Sequence, residues 1–114
     1  MNQRADINSK DKDNQTPLHY AAQRGYLSVV EYLVNQKADI DPKNKDDHTP
    51  LHFAARDGHL SAVEYLVNQK ANIDAKDKNG RTPLELANQI GIFDSKDKKK
   101  RKSNVVELLK SKGS

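Results

Sequence analysis

The sequence predicts an all-α solenoid of three stacked helix-turn-helix repeats, and three observations carry that prediction. The first is a period of 33 residues: TPLHYAAQRGYLSVVEYLVNQKADIDPKNKDDH, from Thr16, runs directly into TPLHFAARDGHLSAVEYLVNQKANIDAKDKNGR, from Thr49, with 22 of 33 positions identical. A third copy opens at Thr82 with TPLELANQIG. The second is that the apolar residues of each copy, such as Leu18, Ala21, Ala22, Val30, Leu33 and Ile40, recur at helical spacings. The third is regular punctuation: Thr-Pro at each start and glycine nine residues later.

These observations decide a question that bulk composition leaves open. With 114 residues, 34% of them hydrophobic, and a mean hydropathy of -0.98, the chain lies near the border of disorder. A periodic apolar pattern places it on the folded side. No apolar run approaches the length of a membrane span, and MNQRADINSK holds no apolar signal-peptide core. Cysteine is absent, which excludes disulfides and thiol chemistry and suits an intracellular protein, cytoplasmic or nuclear.

The elements follow in order. Residues 1–15 match the tail of a copy whose front is missing. Repeats are assigned to 16–48, 49–81 and 82–114, the last with a basic insertion at 94–103. Thr16, Thr49 and Thr82 are N-caps, each followed by proline at the first helical position, where a missing N–H costs nothing. Gly25, Gly58 and Gly91 are expected to end the first helices. The second helices are expected to open on capping boxes, Ser28 to Glu31, Ser61 to Glu64 and Asn104 to Glu107. Leu27 with Tyr32, and Leu60 with Tyr65, have the spacing of a hydrophobic staple. Helices of about two turns do not persist alone, so stacking must stabilise them.

The period, the TPLH opening, the AAxxG exit and the ADI segment together resemble the ankyrin repeat family. The resemblance implies antiparallel helix pairs stacked side by side, with turn segments such as 38–48 projecting as β-turn or hairpin fingers. It also implies that His19 and His52, in the TPLH place, tie adjacent turns together by hydrogen bonds. Glu85 takes that place in the third copy and forms a capping box suited to a terminal repeat. Where the family has glycine, Lys37 and Lys70 end the second helices, a left-handed position that costs lysine about 1 kcal/mol. Asn14 and Asp47 stand at the finger turn where only Gly80 matches the family, and both tolerate positive φ.

Three repeats are about the minimum for a stable stack. The core face of the first, around Leu18, Ala22 and Val30, is therefore expected to be exposed. It would be covered in a longer parent protein, pair weakly between chains, or fray.

The net charge of +4 is local. Within 94–103, Lys96, Lys98, Lys99, Lys100, Arg101 and Lys102 face Asp94 and Asp97, and the remaining 14 basic and 14 acidic residues cancel. Read as an inserted loop, KKKRK is a solvated segment, a nuclear import signal, or a nucleic-acid or anionic-surface patch. The last needs stacking aromatics, and only Phe93 is near. The insertion also puts Ser103 where a staple residue belongs, so the last helix is expected to fray at its start unless Phe93 covers it.

No reading points to catalysis. There is no P-loop, no GxSxG and no acid-base pair outside the exposed turns. AKDKNG fails as a calcium loop at its first and twelfth places, and His48 and His52 straddle a helix start, so neither a metal nor a cofactor is expected. Protein binding remains. The candidate recognition residues gather where the copies diverge: Lys12, Asp13, Gln15, Lys45, Asp46, His48, Lys78, Asn79 and Arg81 on the turns, and Tyr20, Gln23, Arg24, Phe53, Arg56, Asp57, Gln89 and Ile90 on the first helices. The family resemblance implies a concave partner surface made of these same elements. Tyr20, Phe53 and the arginines are the expected anchors.

Overall fold

The computed structural model describes residues 7–89, 91 and 94–113. Ile90 and Phe93, named above as a candidate recognition residue and as a cover for the last helix, lie outside the described residues. Six helices and no strand occur among the described residues: α1 (Pro17–Arg24), α2 (Leu27–Asn35), α3 (Pro50–Arg56), α4 (Leu60–Asn68), α5 (Pro83–Asn88) and α6 (Lys96–Ser111). They pair within repeats, and the pairs stack so that α3 lies between α1 and α5, and α4 between α2 and α6.

Each first helix starts as its sequence dictates. Thr16 accepts at Oγ1 from the His19 N–H, while the Thr16 N–H donates to His19 Nδ1 at 3.0 Å. Thr49 with His52 repeats this geometry, and Thr82 with Glu85 gives the carboxylate version at 2.9 Å. The core is built from the small and aliphatic positions of the period. Leu18, Ala22, Val30, Leu51, Ala54, Ala55, Val63, Leu66, Val105 and Leu109 are all buried, and the alanines let neighbouring first helices approach closely.

Helix ends differ from expectation in two ways. Gly25 takes φ 71° and ends α1: its N–H donates to the Ala22 carbonyl, and the Tyr26 N–H to that of Ala21. A Cβ there would also lie 2.6 Å from the His59 ring, so glycine is required twice over. Gly91 has no such role, because α5 already stops at Asn88. The second helices open at Leu27 and Leu60, one residue before the expected serine caps, and no side chain caps them. The glycine turn explains the shift. It delivers the Tyr26 and His59 carbonyls directly to Val30 N–H and Val63 N–H, the first helical bonds, so Ser28 and Ser61 are already helical. The staple disappears with the cap, and Tyr32 points outward, 62% exposed.

The largest correction concerns 94–103. The basic run is not a loop but the first two turns of the sixteen-residue α6, continuous with the closing helix, so Asn104 is interior rather than a cap. Ser95 caps it, accepting from the Lys98 N–H at 3.0 Å, and Asp97 pairs with Arg101 one turn later at 2.9 Å. Lysine and arginine are good helix formers, and here they need only a start signal and a surface to dock on.

A second correction concerns the end of the stack. Leu18, Ala22 and Val30 are buried in the core shared with the second repeat, not exposed; besides Tyr20, the exposed large apolar residues of the first repeat are Tyr26, Val29 and Tyr32.

Candidate interaction face

The fingers are three copies of one turn. Oδ1 of Asp11, Asn44 and Asp77 accepts the backbone N–H groups two and four residues on, at 2.8–2.9 Å. Asn14, Asp47 and Gly80 take positive φ at the bend, and Lys37 and Lys70 adopt the left-handed helix ends expected of them. Neighbouring fingers are laddered by Lys45 N–H to the Asp13 carbonyl at 3.0 Å and Lys78 N–H to the Asp46 carbonyl at 3.1 Å.

The TPLH histidines lock this ladder to the helices. With Nδ1 occupied as an acceptor, His19 and His52 must carry their proton on Nε2. They donate it to the His48 carbonyl at 2.8 Å and the Arg81 carbonyl at 2.9 Å, each in the finger that ends the same repeat. Burial holds both imidazoles below the ordinary histidine range, against the opposing pull of the carbonyls they bind. His48 reaches one repeat further, its Nε2 3.1 Å from Asp77 Oδ2. Burial pushes the Asp77 carboxyl up, but the Arg81 and Asn79 N–H groups, with the charges of Arg81 and His48, more than offset it and keep it low.

Between finger tips and first helices lies an open groove of about 250 Å³, lined by Asp13, Gln15, Gln23, Asn44, Lys45, Asp46, His48, Phe53 and Arg56. Every lining residue except Asn44 is among the candidates named from sequence. Asn44 joins them by donating to Gln15 Oε1 at 3.0 Å. Lys45 spans two fingers to Asp13 at 3.1 Å. Phe53 is not an exposed anchor: it is 5% exposed, between the rings of His19 and His48, with the Arg56 guanidinium 4.8 Å above it. Its sequence counterpart Tyr20 is 38% exposed, its hydroxyl donating to Asp11. Lys12, Arg24, Lys78, Asn79 and Gln89 are exposed and Arg81 partly exposed, and none of them lines this groove.

A second pocket, of about 370 Å³, adjoins the groove through Arg56 and continues along Asp57, Leu86, Gln89, Gly91, Asp94, Lys98 and Lys102. The basic run, expected as an inserted loop, thus contributes Lys98 and Lys102 to the wall of this pocket. Lys102 is 4% exposed, and its ammonium donates to the Gln89 carbonyl and to Asp94 Oδ2. Arg101 donates to the carbonyls of Asp57 and Gly58 just past the end of α3. Lys98 lies 3.7 Å from Asp57 and 3.6 Å from Asp94. Only Lys96, Lys99 and Lys100 of the six cations stay exposed.

The Lys102 hydrogen bond, with help from the Gly91 N–H, lowers the Asp94 carboxyl to about 2. A carboxyl depressed in the folded state adds stability above its unfolded value of 3.8, lost only as pH falls toward about 2. The docking of 96–103 should therefore survive mild acid. Replacing Lys102 with Ala should raise amide exchange over 98–103 by at least roughly tenfold, because it removes the charge-assisted bonds to Asp94 and the Gln89 carbonyl. Lys99→Ala should leave exchange there unchanged, and equal effects of the two would refute the docked helix.

Among the described residues, no group of three His, Cys, Asp or Glu side chains is placed to hold a metal, and no helix is long and apolar enough to cross a membrane. Stacked helix pairs carrying a ladder of fingers over a shallow polar groove define a repeat-protein interaction scaffold. The chain belongs to the ankyrin repeat family, whose model for ankyrin repeats in three copies matches residues 1–77 and again 36–114. Ankyrin repeats are generally protein–protein interaction modules and typically non-catalytic. No curated protein matches the sequence.

Proposed function

We propose that the chain is a non-catalytic module that binds a protein partner in the groove between its finger tips and first helices. One observation supports the reading: residues at positions that diverge between copies, Asp13, Gln15, Gln23, Asp46, His48, Phe53 and Arg56, line one groove, whereas most of the repeated apolar ones form the core. The fold does not require Gln23, Asp46 or Arg56 at their places, so these are free to answer a partner. Arg56 stands at the junction of the groove and the second pocket, and Lys98 and Lys102 extend the surface toward the third repeat. The rival reading, nucleic acid or an anionic surface held by the basic run, draws on three cations rather than six, because the others are committed to Asp57, Asp94 and backbone carbonyls.

A pull-down from cell lysate with the wild-type chain and the Arg24→Ala/Arg56→Ala variant, both checked for helicity, tests the proposal. Proteins retained by the wild type should be lost by the variant, should persist after nuclease treatment, and should be retained by Lys99→Ala/Lys100→Ala. Capture that nuclease abolishes, or that weakens by orders of magnitude between 50 and 200 mM salt as counterion release demands, would favour the rival.

A further inference from the structure

Tyr26, Val29 and Tyr32, three residues apart along α2 and its N-cap, form an apolar stripe 54%, 43% and 62% exposed. The same positions one period on are His59, Ala62 and Tyr65, and they face the first repeat. His59 Nε2 lies 2.9 Å from the Gln23 carbonyl, Ala62 is 1% exposed, and the Tyr65 hydroxyl reaches Asn35. Val105 holds the central position in the third repeat and is fully buried. The stripe is thus one half of an interface that recurs twice within the stack.

The other end of the stack does not complement it. Ala22 and Ala55 are fully buried and Val34 and Val67 pack on the core, but their counterparts in the last repeat are Asn88 and Lys110, both exposed. Head-to-tail stacking would bury a lysine and an amide against the stripe without partners, which is unfavourable. Pairing of the stripe with itself meets no such obstacle. Glu31 is the only charged residue of α2, and Tyr-x-x-Val-x-x-Tyr reads the same in both directions. Self-complementarity of this kind is what a two-fold interface requires. In an antiparallel α2 pair, Val29 falls on the axis, and Tyr26 of each copy meets Tyr32 of the other.

We infer that two copies of this chain associate through this stripe into a closed two-fold dimer, leaving both grooves open. Sedimentation from micromolar to millimolar concentration should show the mass rising from the 12.8 kDa monomer toward twice that value. Val29→Lys should weaken association by at least about tenfold, as expected for charging the centre of an interface. A cysteine at the axis faces its own counterpart and the chain has no other. Val29→Cys should therefore crosslink on oxidation, while Lys99→Cys, exposed on α6, should not. This arm decides the matter if the lysine variant fails to fold. A mass of 12.8 kDa throughout, association that survives Val29→Lys, or a dimer appearing only after removal of residues 1–6 would overturn the proposal; the last would make that segment the occupant.

Discussion

Phe53→Ala should destabilise the stack by about 3 kcal/mol, near the lower end of the cost of removing a buried phenylalanine ring. The ring sits in the middle repeat, edge-on to His19 at 5.8 Å and tilted against His48 at 5.3 Å, with Arg56 over its face. Its removal withdraws support from a residue of two different fingers or caps and from the arginine at the junction of the two pockets. Partial collapse of the open groove should hold the cost at this end of the range. Since small domains have only about 5–15 kcal/mol in hand, a loss of this size is readily measured. Urea denaturation should show a lower midpoint with unchanged slope, and Phe53→Leu should recover most of the difference. A loss below about 1 kcal/mol, well short of a buried ring's cost, would mean that Phe53 is a surface residue after all.

Phe53 also shows how far the sequence could be read. That its position diverges between copies, as Tyr20, Phe53 and Leu86, was visible; that the middle copy would be buried was not. Leu86 is buried as well, and at Phe53 burial depends on where two imidazoles from different turns converge. The fold was legible because it is local and repeated: Thr-Pro starts, the left-handed Gly25, and positive φ at Asn14 and Asp47 each follow from one or two residues. Part of the groove's lining was legible because many divergent positions lie on the surface, but divergence alone does not separate them from buried positions such as Phe53.

The first turns of α6 escaped for a different reason. Helices are recognised in sequence by an apolar stripe, and 96–103 has none. This stretch docks instead by long cationic side chains that reach backbone carbonyls and Asp94. Ser95 followed by Asp97 and Arg101 at a spacing of four was the available signal, but it is weak beside five consecutive cations, which suggest solvation. The serine caps failed because a real spacing was assigned to the wrong start: the glycine turn ahead of it had already placed the first helical carbonyl. Position in the stack also decides the exposed end: Leu18, Ala22 and Val30 of the first repeat join the shared core, while Tyr26, Val29 and Tyr32 stay exposed.

His52→Ala should cost roughly 2–6 kcal/mol, because it orphans two buried groups at once, each worth about 1–3 kcal/mol when unpaired. The Thr49 N–H loses its acceptor and the Arg81 carbonyl its donor, so both the α3 cap and the tie to the third finger are cut. His52→Gln keeps an acceptor for Thr49 and should fall between wild type and alanine, much as Glu85 preserves the cap alone in the last repeat. The same histidine predicts how stability depends on pH. Burial lowers the pKa of both His19 and His52 in the folded chain, so between the folded and unfolded values the unfolded state binds more protons. Stability then rises with pH across that window. It is fully present above the unfolded value of 6.5 and declines as pH drops below it. Thermal unfolding at a series of pH values should therefore show a midpoint falling on acidification below 6.5, with roughly half that dependence in His52→Gln, since two similar groups share the linkage. A midpoint that is flat from pH 7 to pH 5, or one that rises, would mean that these imidazoles are protonated in the native stack, and the Nδ1 acceptor geometry at Thr16 and Thr49 would have to be abandoned.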